Sequence, residues 1–295
     1  MKRSILLGLL LGAGAATMAA QAPAGPKVID IVKLKDTLYV LTSSTPGDQA
    51  TFSGGNVAVF ITDGGVTLVD DKLAGWGQAV LDKVKSVTDK PITRIINTHT
   101  HGDHTGNNGF FGANVEIVAQ ENTKANMMKM DAFKGDGAKF LPGKTYTDKM
   151  SLGSGKDRID LYYFGAGHTS GDTWVVFPAI RVLQTGDMFA WKDAPVLDRA
   201  NGGSGVEFPK TIAKALATIK DVDTVIPGHS PVMTPKDLQE YQRYTADFLA
   251  AVEAAKKSGK SAADAAASIN LSAKYPGYQS DRVKAAVDAL YTELQ

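Results

Sequence analysis

The stretch Thr98-His99-Thr100-His101-Gly102-Asp103-His104 holds three histidines and an aspartate within six residues. In a loop, His99 and His101 can point to the same side and bind one cation, whereas Asp103 and His104 can point to a second position beside it. Imidazole nitrogens and carboxylate oxygens are ligands that suit zinc. Because no structural role needs this combination, the stretch predicts a metal site around which the fold is organised.

The two other histidines of the chain also occur in short polar motifs. His168 lies in Gly167-His168-Thr169 and His229 in Pro227-Gly228-His229, while Asp187 closes Thr185-Gly186-Asp187. Each of these residues follows an apolar segment of strand type, as the first histidine stretch does. Because ligand sites commonly collect at one end of a sheet, we expect all of them to join in a single site.

Apolar strand-like segments alternate with amphipathic helices along the chain. Strands are predicted at residues 38–41, 57–61, 66–69, 92–96, 115–118, 159–164, 174–177, 181–184 and 224–226. Helices are predicted at residues 80–87, 121–133 and 212–219, and the C-terminal residues 234–295 are predicted to be mainly helical. The segment Thr234-Pro235-Lys236-Asp237 has the pattern of a capping box with proline at the first helical position.

The N-terminus has the pattern of a secretory signal peptide. Lys2 and Arg3 are followed by an apolar segment at residues 5–16 and by small residues at 17–22, so we predict a signal over residues 1–22 with cleavage at 19–22. The chain contains no cysteine, and it therefore offers no thiol that could mispair under oxidising conditions. These features predict a periplasmic or secreted protein that is not held in the membrane after cleavage.

The charge of the chain is close to neutral, with a formal net charge of +1 among 295 residues. Removing Lys2 and Arg3 with the signal lowers it to about −1. Nucleic-acid partners usually require a basic surface, so we expect a small-molecule substrate and no nucleic acid. The sequence carries no indication of the oligomeric state.

The order of these motifs resembles that of the metallo-β-lactamase superfamily. Over residues 28–232 the chain presents His-x-His-x-Asp-His, then Gly-His-Thr, Gly-Asp and Pro-Gly-His, with Asp70 at the end of the second hairpin strand. The resemblance implies a mixed α/β (α+β) protein, built as a four-layer αββα sandwich over residues 27–295 with residues 234–295 as a helical C-terminal extension.

The resemblance also implies a dinuclear centre, with zinc as the first choice and iron or manganese as possible occupants. Seven side chains are implied as ligands: His99, His101 and His168 for the first metal, Asp103, His104 and His229 for the second, and Asp187 as the bridge between the two. Asp70 and Thr98 are candidates for supporting hydrogen bonds to the ligand histidines.

Such a centre implies an exported hydrolase that cleaves a small ester, lactone or cyclic amide with a hydroxide held between the two metals. Asp103 is the candidate catalytic carboxylate, which would orient the hydroxide and pass a proton to the leaving group. Three alternatives stay open: true or incidental β-lactam hydrolysis, an iron-dependent redox enzyme on the same scaffold, and a metal-binding protein without turnover.

Two departures bear on these alternatives. Asp187 stands where many β-lactamases of the superfamily carry cysteine, and aspartate there is similar to the glyoxalase II-like and lactonase-like members. Asp172 stands where glyoxalase II relatives usually carry another histidine, which argues against a thioesterase without restoring the β-lactamase interpretation.

Substrate selection is predicted to lie in three loops at the metal end, at residues 42–56, 131–149 and 189–204. The third loop carries Trp191, Lys192 and Asn201, which we take as candidate substrate contacts. An aromatic ring beside a lysine would suit an acylated or carboxylate-bearing substrate. The second loop contributes Lys134, Phe140 and Tyr146.

Overall fold

The computed structural model describes residues 29–43, 52–112 and 114–294. The predicted signal peptide lies outside the described residues, and so does most of the loop at residues 42–56. Within the described part of the chain, no helix is both long and apolar enough to cross a membrane.

The first sheet contains seven strands in the order β1 to β7. They are β1 (Ile29–Lys35), β2 (Leu38–Ser43), β3 (Val57–Thr62), β4 (Gly65–Val69), β5 (Ile92–Ile96), β6 (Glu116–Gln120) and β7 (Lys144–Tyr146). Strands β1 to β4 form an antiparallel meander, whereas β4 to β7 are parallel to one another. The carboxyl ends of β4 and β5 therefore meet at one edge of the sheet.

The second sheet contains five strands in the order β12, β11, β10, β9, β8. They are β8 (Lys149–Leu152), β9 (Ile159–Tyr162), β10 (Trp174–Phe177), β11 (Val182–Gly186) and β12 (Thr224–Pro227). All neighbours are antiparallel except β11 and β12, which run parallel. This parallel pair brings the ends of β11 and β12 to the same place.

The two sheets pack face to face over a common apolar core. Leu38, Val40 and Phe60 from the first sheet meet Leu161 and Phe177 from the second, and all five side chains are almost fully buried. The rings of Phe60 and Phe177 lie 4.9 Å apart across the sandwich. Burial of these alternating strand residues on the inner faces supplies most of the driving force for closure of the sandwich.

Helices cover both outer faces. They are α1 (Gly77–Lys85), α2 (Gly102–Thr105), α3 (Asn108–Phe111), α4 (Glu121–Met127), α5 (Phe208–Thr218), α6 (Pro235–Lys257), α7 (Ala262–Ser268) and α8 (Val283–Glu293). Val80 and Val84 of α1 pack on the outer face of the first sheet, and Ile212 of α5 and Tyr241 of α6 pack on the second. The predicted four-layer αββα sandwich is confirmed.

The helical C-terminus is confirmed as well. Helix α6 begins with the predicted capping box, in which Thr234 and Asp237 bond to each other's backbone N–H. Helices α6, α7 and α8 share an apolar cluster that includes Phe248 and Val287 and that also receives Ala194 from the loop after β11. The extension is therefore packed against the metal end of the sandwich.

The structure corrects several predicted elements. The helix predicted at residues 121–133 ends at Met127, and a short 3-10 turn at Asp131–Phe133 follows, because Met130 adopts an extended backbone. Strands β1, β7 and β8 were not predicted: β7 and β8 have only three and four residues, and charged residues interrupt the apolar residues of the seven-residue β1. Tyr146 lies buried in β7 and donates to Thr173 Oγ1 at 2.9 Å, so it is a core residue and not a substrate contact.

Candidate metal centre

The predicted ligands all follow strands whose ends lie at one edge of the sandwich. The first histidine stretch follows β5, His168 follows β9, Asp187 directly follows β11, and His229 comes two residues after β12. The stretch turns into α2 at Gly102, and this turn separates His101 from Asp103 and His104. The fold thus brings together residues that are distant in the sequence.

One group of possible ligands contains His99, His101, His168 and Asp187. Each offers one donor atom, and these four atoms lie within 4.8 Å of one another. His101 Nδ1 lies 3.0 Å from His168 Nε2. His99 packs edge-on against His101 and His168, with ring centroids 4.9 Å and 4.6 Å away. Three imidazoles therefore converge on one point, with a carboxylate beside them.

A second group contains Asp103, His104 and His229, whose donor atoms also lie within 4.8 Å of one another. His104 Nε2 is 3.2 Å from His229 Nε2, and Asp103 Oδ2 is 3.3 Å from His229 Nε2. Two ring nitrogens that face each other at this distance need a shared proton or a cation between them, because two lone pairs repel.

Asp187 contacts both groups. Its Oδ2 lies 3.7 Å from His168 Nε2 and 3.3 Å from His229 Nε2, and its Oδ1 lies 3.4 Å from His104 Nε2. Gly228 makes room for this carboxylate, since a Cβ at that position would be 1.9 Å from Asp187 Oδ1. The position between the two groups is the one that a bridging ligand requires.

The donor set fits two metal ions. His99 Nε2 and Asp187 Oδ1 are buried and have no hydrogen-bond partner in the part of the chain that the structure describes. Buried polar atoms without a partner are costly, and a cation at the centre of the cluster would satisfy both. Nitrogen and oxygen donors without sulfur suit zinc, and they also accept iron or manganese.

Asp70 orients two of the histidines, His104 directly and His99 through Thr98. His104 Nδ1–H donates to Asp70 Oδ2 at 2.8 Å. Thr98 donates to the same carboxylate from both its N–H and its hydroxyl, at 2.7 Å and 2.8 Å, and its Oγ1 accepts from His99 Nδ1–H at 3.0 Å. These bonds leave the Nε2 lone pairs of both histidines directed at the cluster, as the proposed supporting role of Asp70 and Thr98 requires.

The loop after β11 supports the other two histidines. His101 Nε2–H donates to Asp198 Oδ2 at 2.7 Å, and His168 Nδ1–H donates to the carbonyl oxygen of Val196 at 2.8 Å. From the sequence, this loop is predicted only to contact the substrate. No spacing or motif links Asp198 to His101, because the contact is created by the packing of the loop.

Burial keeps two of the histidines neutral. It lowers the pKa of His99 well below the usual value, and it lowers the pKa of His168 to about 4, in both cases against the opposing charge of Asp187. A neutral imidazole has a free lone pair and can bind a cation without first losing a proton. Both rings are therefore ready for a metal at neutral pH.

The carboxylates create a strongly negative field at His104. Burial alone would lower the pKa of this histidine, but Asp103, Asp187 and Asp70 together raise it well above the usual value. In return, although burial opposes it, His229 and His104 hold the pKa of Asp187 well below its usual range. The cluster favours positive charge at this point, which is what a site for a divalent cation needs.

The cluster opens into a cavity of about 730 Å³, a volume that suits a small-molecule substrate. Phe52 and Trp191 line it next to the second group, with ring centroids 5.7 Å and 5.4 Å from that of His229. Asp103 also faces the cavity, and 22% of its side chain is exposed. The C-terminal extension supplies Gln279, Asp281, Arg282 and Ala285.

The three candidate substrate contacts lie in different surroundings. Trp191 is in the cavity wall, as expected of a substrate contact. Lys192 turns toward α6 and forms ion pairs with Asp237 at 2.8 Å and Glu240 at 3.2 Å. Asn201 does not line the cavity; its amide donates to Asp198 Oδ2 at 2.6 Å, so it contacts the carboxylate that holds His101.

Asp172 serves the loop that carries His168. Its carboxylate accepts hydrogen bonds from the N–H and the hydroxyl of Thr169, at 2.9 Å and 2.6 Å. Burial raises the pKa of Asp172 to about 7 against these hydrogen bonds. The aspartate at this position therefore closes a turn and lies outside both groups of donor atoms.

Comparison with known proteins agrees with this geometry. The family profile described as the metallo-beta-lactamase superfamily matches residues 50–229. A metallo-beta-lactamase type 2 from Elizabethkingia meningoseptica is 27% identical over 237 residues, which cover 78% of this chain and 89% of that protein. Metallo-beta-lactamase IND-1 from Chryseobacterium indologenes is 29% identical over 179 residues, 59% of this chain and 71% of that protein.

Solved structures are similar in fold. The structure of a metallo-beta-lactamase from Pontibacter korlensis superimposes with a TM-score of 0.63 at 19% identity, covering 74% of this chain and 99% of that one. DIM-1 metallo-beta-lactamase gives a TM-score of 0.62 over 75% of this chain and 98% of that one, also at 19% identity. The family profile ends at residue 229, so the helical C-terminus lies outside it.

Proposed function

The chain belongs to the metallo-β-lactamase superfamily of metal-dependent hydrolases, and on this basis we propose that it is an exported dinuclear zinc hydrolase of small esters, lactones or cyclic amides. The observation that carries the proposal is the position of Asp187, whose carboxylate contacts histidines of both donor groups. A single metal ion would occupy only one of the two donor groups, and the donor atoms of the other group would then be left without a cation.

Two zinc ions at these positions would supply a hydroxide at neutral pH and polarise the carbonyl oxygen of the substrate. The protein holds the donors for them in fixed orientations, since Asp70, Thr98, Asp198 and the carbonyl of Val196 each bind the ring nitrogen that faces away from the cluster. Donors that are already oriented need little reorganisation during the reaction.

Asp103 is the proposed catalytic carboxylate. It belongs to the second donor group but is more exposed than the other residues of that group, and it faces the cavity. From there its carboxylate can accept a proton from the attacking water and pass it to the leaving group, which then departs as a neutral alcohol or amine. Asp187 also lines the cavity, but only 6% of its side chain is exposed, and its two oxygens face histidines of both donor groups.

Two alternative functions are each supported by a specific observation. Relatives named metallo-beta-lactamases favour a cyclic amide as the substrate, and this possibility lies within the proposed reaction class. A donor set of nitrogen and oxygen atoms without sulfur also accepts iron, which would favour a redox enzyme. The metal content of the purified protein separates the second alternative from hydrolysis.

We also propose that the protein acts in the periplasm or outside the cell. Lys2, Arg3 and the apolar residues 5–16 support export, and the lack of cysteine suits an oxidising compartment. The predicted cleavage at residues 19–22 is tested by N-terminal sequencing of the mature protein.

The test of function is turnover of a chromogenic panel containing an ester, a lactone, a thioester and a β-lactam. We expect about two zinc ions per chain and hydrolysis of at least one ester, lactone or lactam. Removal of metal with a chelator should abolish this activity, and zinc should restore it. Purified protein that holds mainly iron and consumes oxygen would overturn the proposal in favour of redox chemistry.

A further inference from the structure

A guanidinium and an indole form one wall of the metal-site cavity. The Arg282 guanidinium lies over the Trp191 ring, with its carbon 5.4 Å from the ring centroid. The Trp191 ring in turn lies 5.4 Å from the His229 ring. A positive charge is thus separated from the second donor group by a single indole.

Arg282 has no ion-pair partner within the described ranges. Its guanidinium makes no hydrogen bond or ion pair there, although it is exposed and lines the cavity together with the neighbouring carboxylate of Asp281. Lys192, the cation expected beside Trp191, is already paired with two carboxylates of α6. Arg282 is therefore the one lysine or arginine among the described residues that line this cavity.

The backbone around Arg282 is tied to the loop that carries Trp191. The Arg282 N–H donates to Asp193 Oδ2 at 3.2 Å, and the Gln279 N–H donates to the carbonyl oxygen of Lys192 at 2.8 Å. Asp193 Oδ1 accepts from the N–H of Ala194 at 2.6 Å. These contacts fix the backbone of Arg282 at the cavity wall, so only its exposed side chain has to be ordered when a ligand binds.

We propose that Arg282 is a specificity residue that binds a carboxylate of the substrate, and that Trp191 packs against the apolar part between this carboxylate and the reacting carbonyl. A guanidinium recognises a carboxylate with two parallel hydrogen bonds. The inference rests on the proposed hydrolase function and names its substrate class, a small anionic ester, lactone or lactam. Because Arg282 lies outside residues 50–229, the C-terminal extension supplies this selectivity.

The experiment compares two esters that differ only in charge, 4-nitrophenyl hydrogen glutarate and its methyl ester. For the zinc-loaded wild-type protein we expect the higher kcat/KM with the anionic ester. Arg282→Gln should lower kcat/KM for that ester about 10- to 100-fold, which corresponds to a lost charged hydrogen bond, and should leave the neutral ester within about twofold. Arg282→Lys should restore part of the preference.

Lys284→Gln is the matched control. It removes the same charge two residues further along the chain, in the first turn of α8, but Lys284 is paired with Asp288 and lies outside this cavity. Its kcat/KM values for both esters should match those of the wild type. Equal losses for the two esters in Arg282→Gln, or no loss for either, would overturn the proposal.

A binding measurement separates this proposal from the proposed function. Phenylacetate and phenylacetamide are titrated into the zinc-loaded protein by calorimetry, which requires no turnover. We expect phenylacetate to bind more tightly, and Arg282→Gln to remove most of that difference. If the wild type cleaves neither ester, the proposed hydrolysis fails for this class while the titration still decides the role of Arg282. A preference that persists in Arg282→Gln would mean that the metals alone bind the carboxylate, and would refute the role of Arg282.

Discussion

His101 donates a hydrogen bond from Nε2–H to Asp198 Oδ2 across 2.7 Å, although the two residues are 97 positions apart in the sequence. The bond sets the tautomer of the ring, so that Nδ1 carries the lone pair and faces His168. His101 thus offers Nδ1 to the cluster, whereas His99 and His104 offer Nε2. The loop after β11 therefore determines which ring nitrogen His101 presents to the metal centre.

Replacing Asp198 with Asn should weaken metal binding. The amide can accept only with its oxygen and carries no charge, so the His101 ring is held less firmly and is a weaker donor. Loss of such a supporting contact typically costs about 10- to 100-fold in metal affinity. Competition with a chromophoric zinc chelator measures the change, and an affinity equal to that of the wild type would contradict the assigned role.

Replacing Asp103 with Asn should separate chemistry from metal binding. We expect kcat to fall by about 10²- to 10⁴-fold, the usual contribution of a general acid–base group, while most of the metal stays bound through the six other donors. Zinc content and kcat are measured on the same preparation. Turnover at the wild-type level would show that the proton passes through another group.

Gly228 tests the position of Asp187. A methyl group at this residue would overlap Asp187 Oδ1, so Gly228→Ala should displace the carboxylate and lower the zinc content below two ions per chain. Gly143→Ala is the control, because a Cβ there meets no atom within 4 Å. Full zinc content in both variants would mean that Asp187 does not bridge.

Lys72 should give the metal-free protein an unusual pH dependence. This lysine is fully buried and donates to the carbonyl oxygen of Gly54 at 3.4 Å. Burial lowers its pKa from 10.5 to about 7, against the opposing charges of Asp103 and Asp70. Between these two pKa values the unfolded chain binds the extra proton, so the free energy of unfolding should rise with pH.

The expected slope is about 1.4 kcal/mol per pH unit above pH 7. Lys72→Met lacks the titrating group and should lack this part of the slope. Urea unfolding of both chelator-treated proteins at pH 7, 8 and 9 measures it, with the difference between the two curves as the readout. Parallel curves would place the pKa of Lys72 near its ordinary value.

The strand ends and the seven donors could be predicted because their signals are local. Strand β5 ends in the buried pair Ile95 and Ile96, and the polar motif that follows stands out against them in the sequence. The structure brings all seven predicted donors into two adjoining groups. Their assignment as zinc ligands remains a proposal that the metal measurements test.

The residues that sequence reasoning missed act through tertiary packing. Asp198 reaches His101, and Arg282 reaches Trp191, only after distant segments have packed. Lys192 was predicted to contact the substrate together with Trp191. Trp191 does line the cavity, but the Lys192 side chain forms ion pairs with α6 instead. Which way adjacent loop residues point depends on the elements around them, and the sequence pattern does not reveal it.

Diffraction from zinc-loaded crystals, recorded on both sides of the zinc absorption edge, tests the central claim most directly. We expect two anomalous peaks, one among His99, His101 and His168 and the other among Asp103, His104 and His229, with Asp187 in contact with both. A single peak, or peaks away from these side chains, would contradict a dinuclear zinc centre.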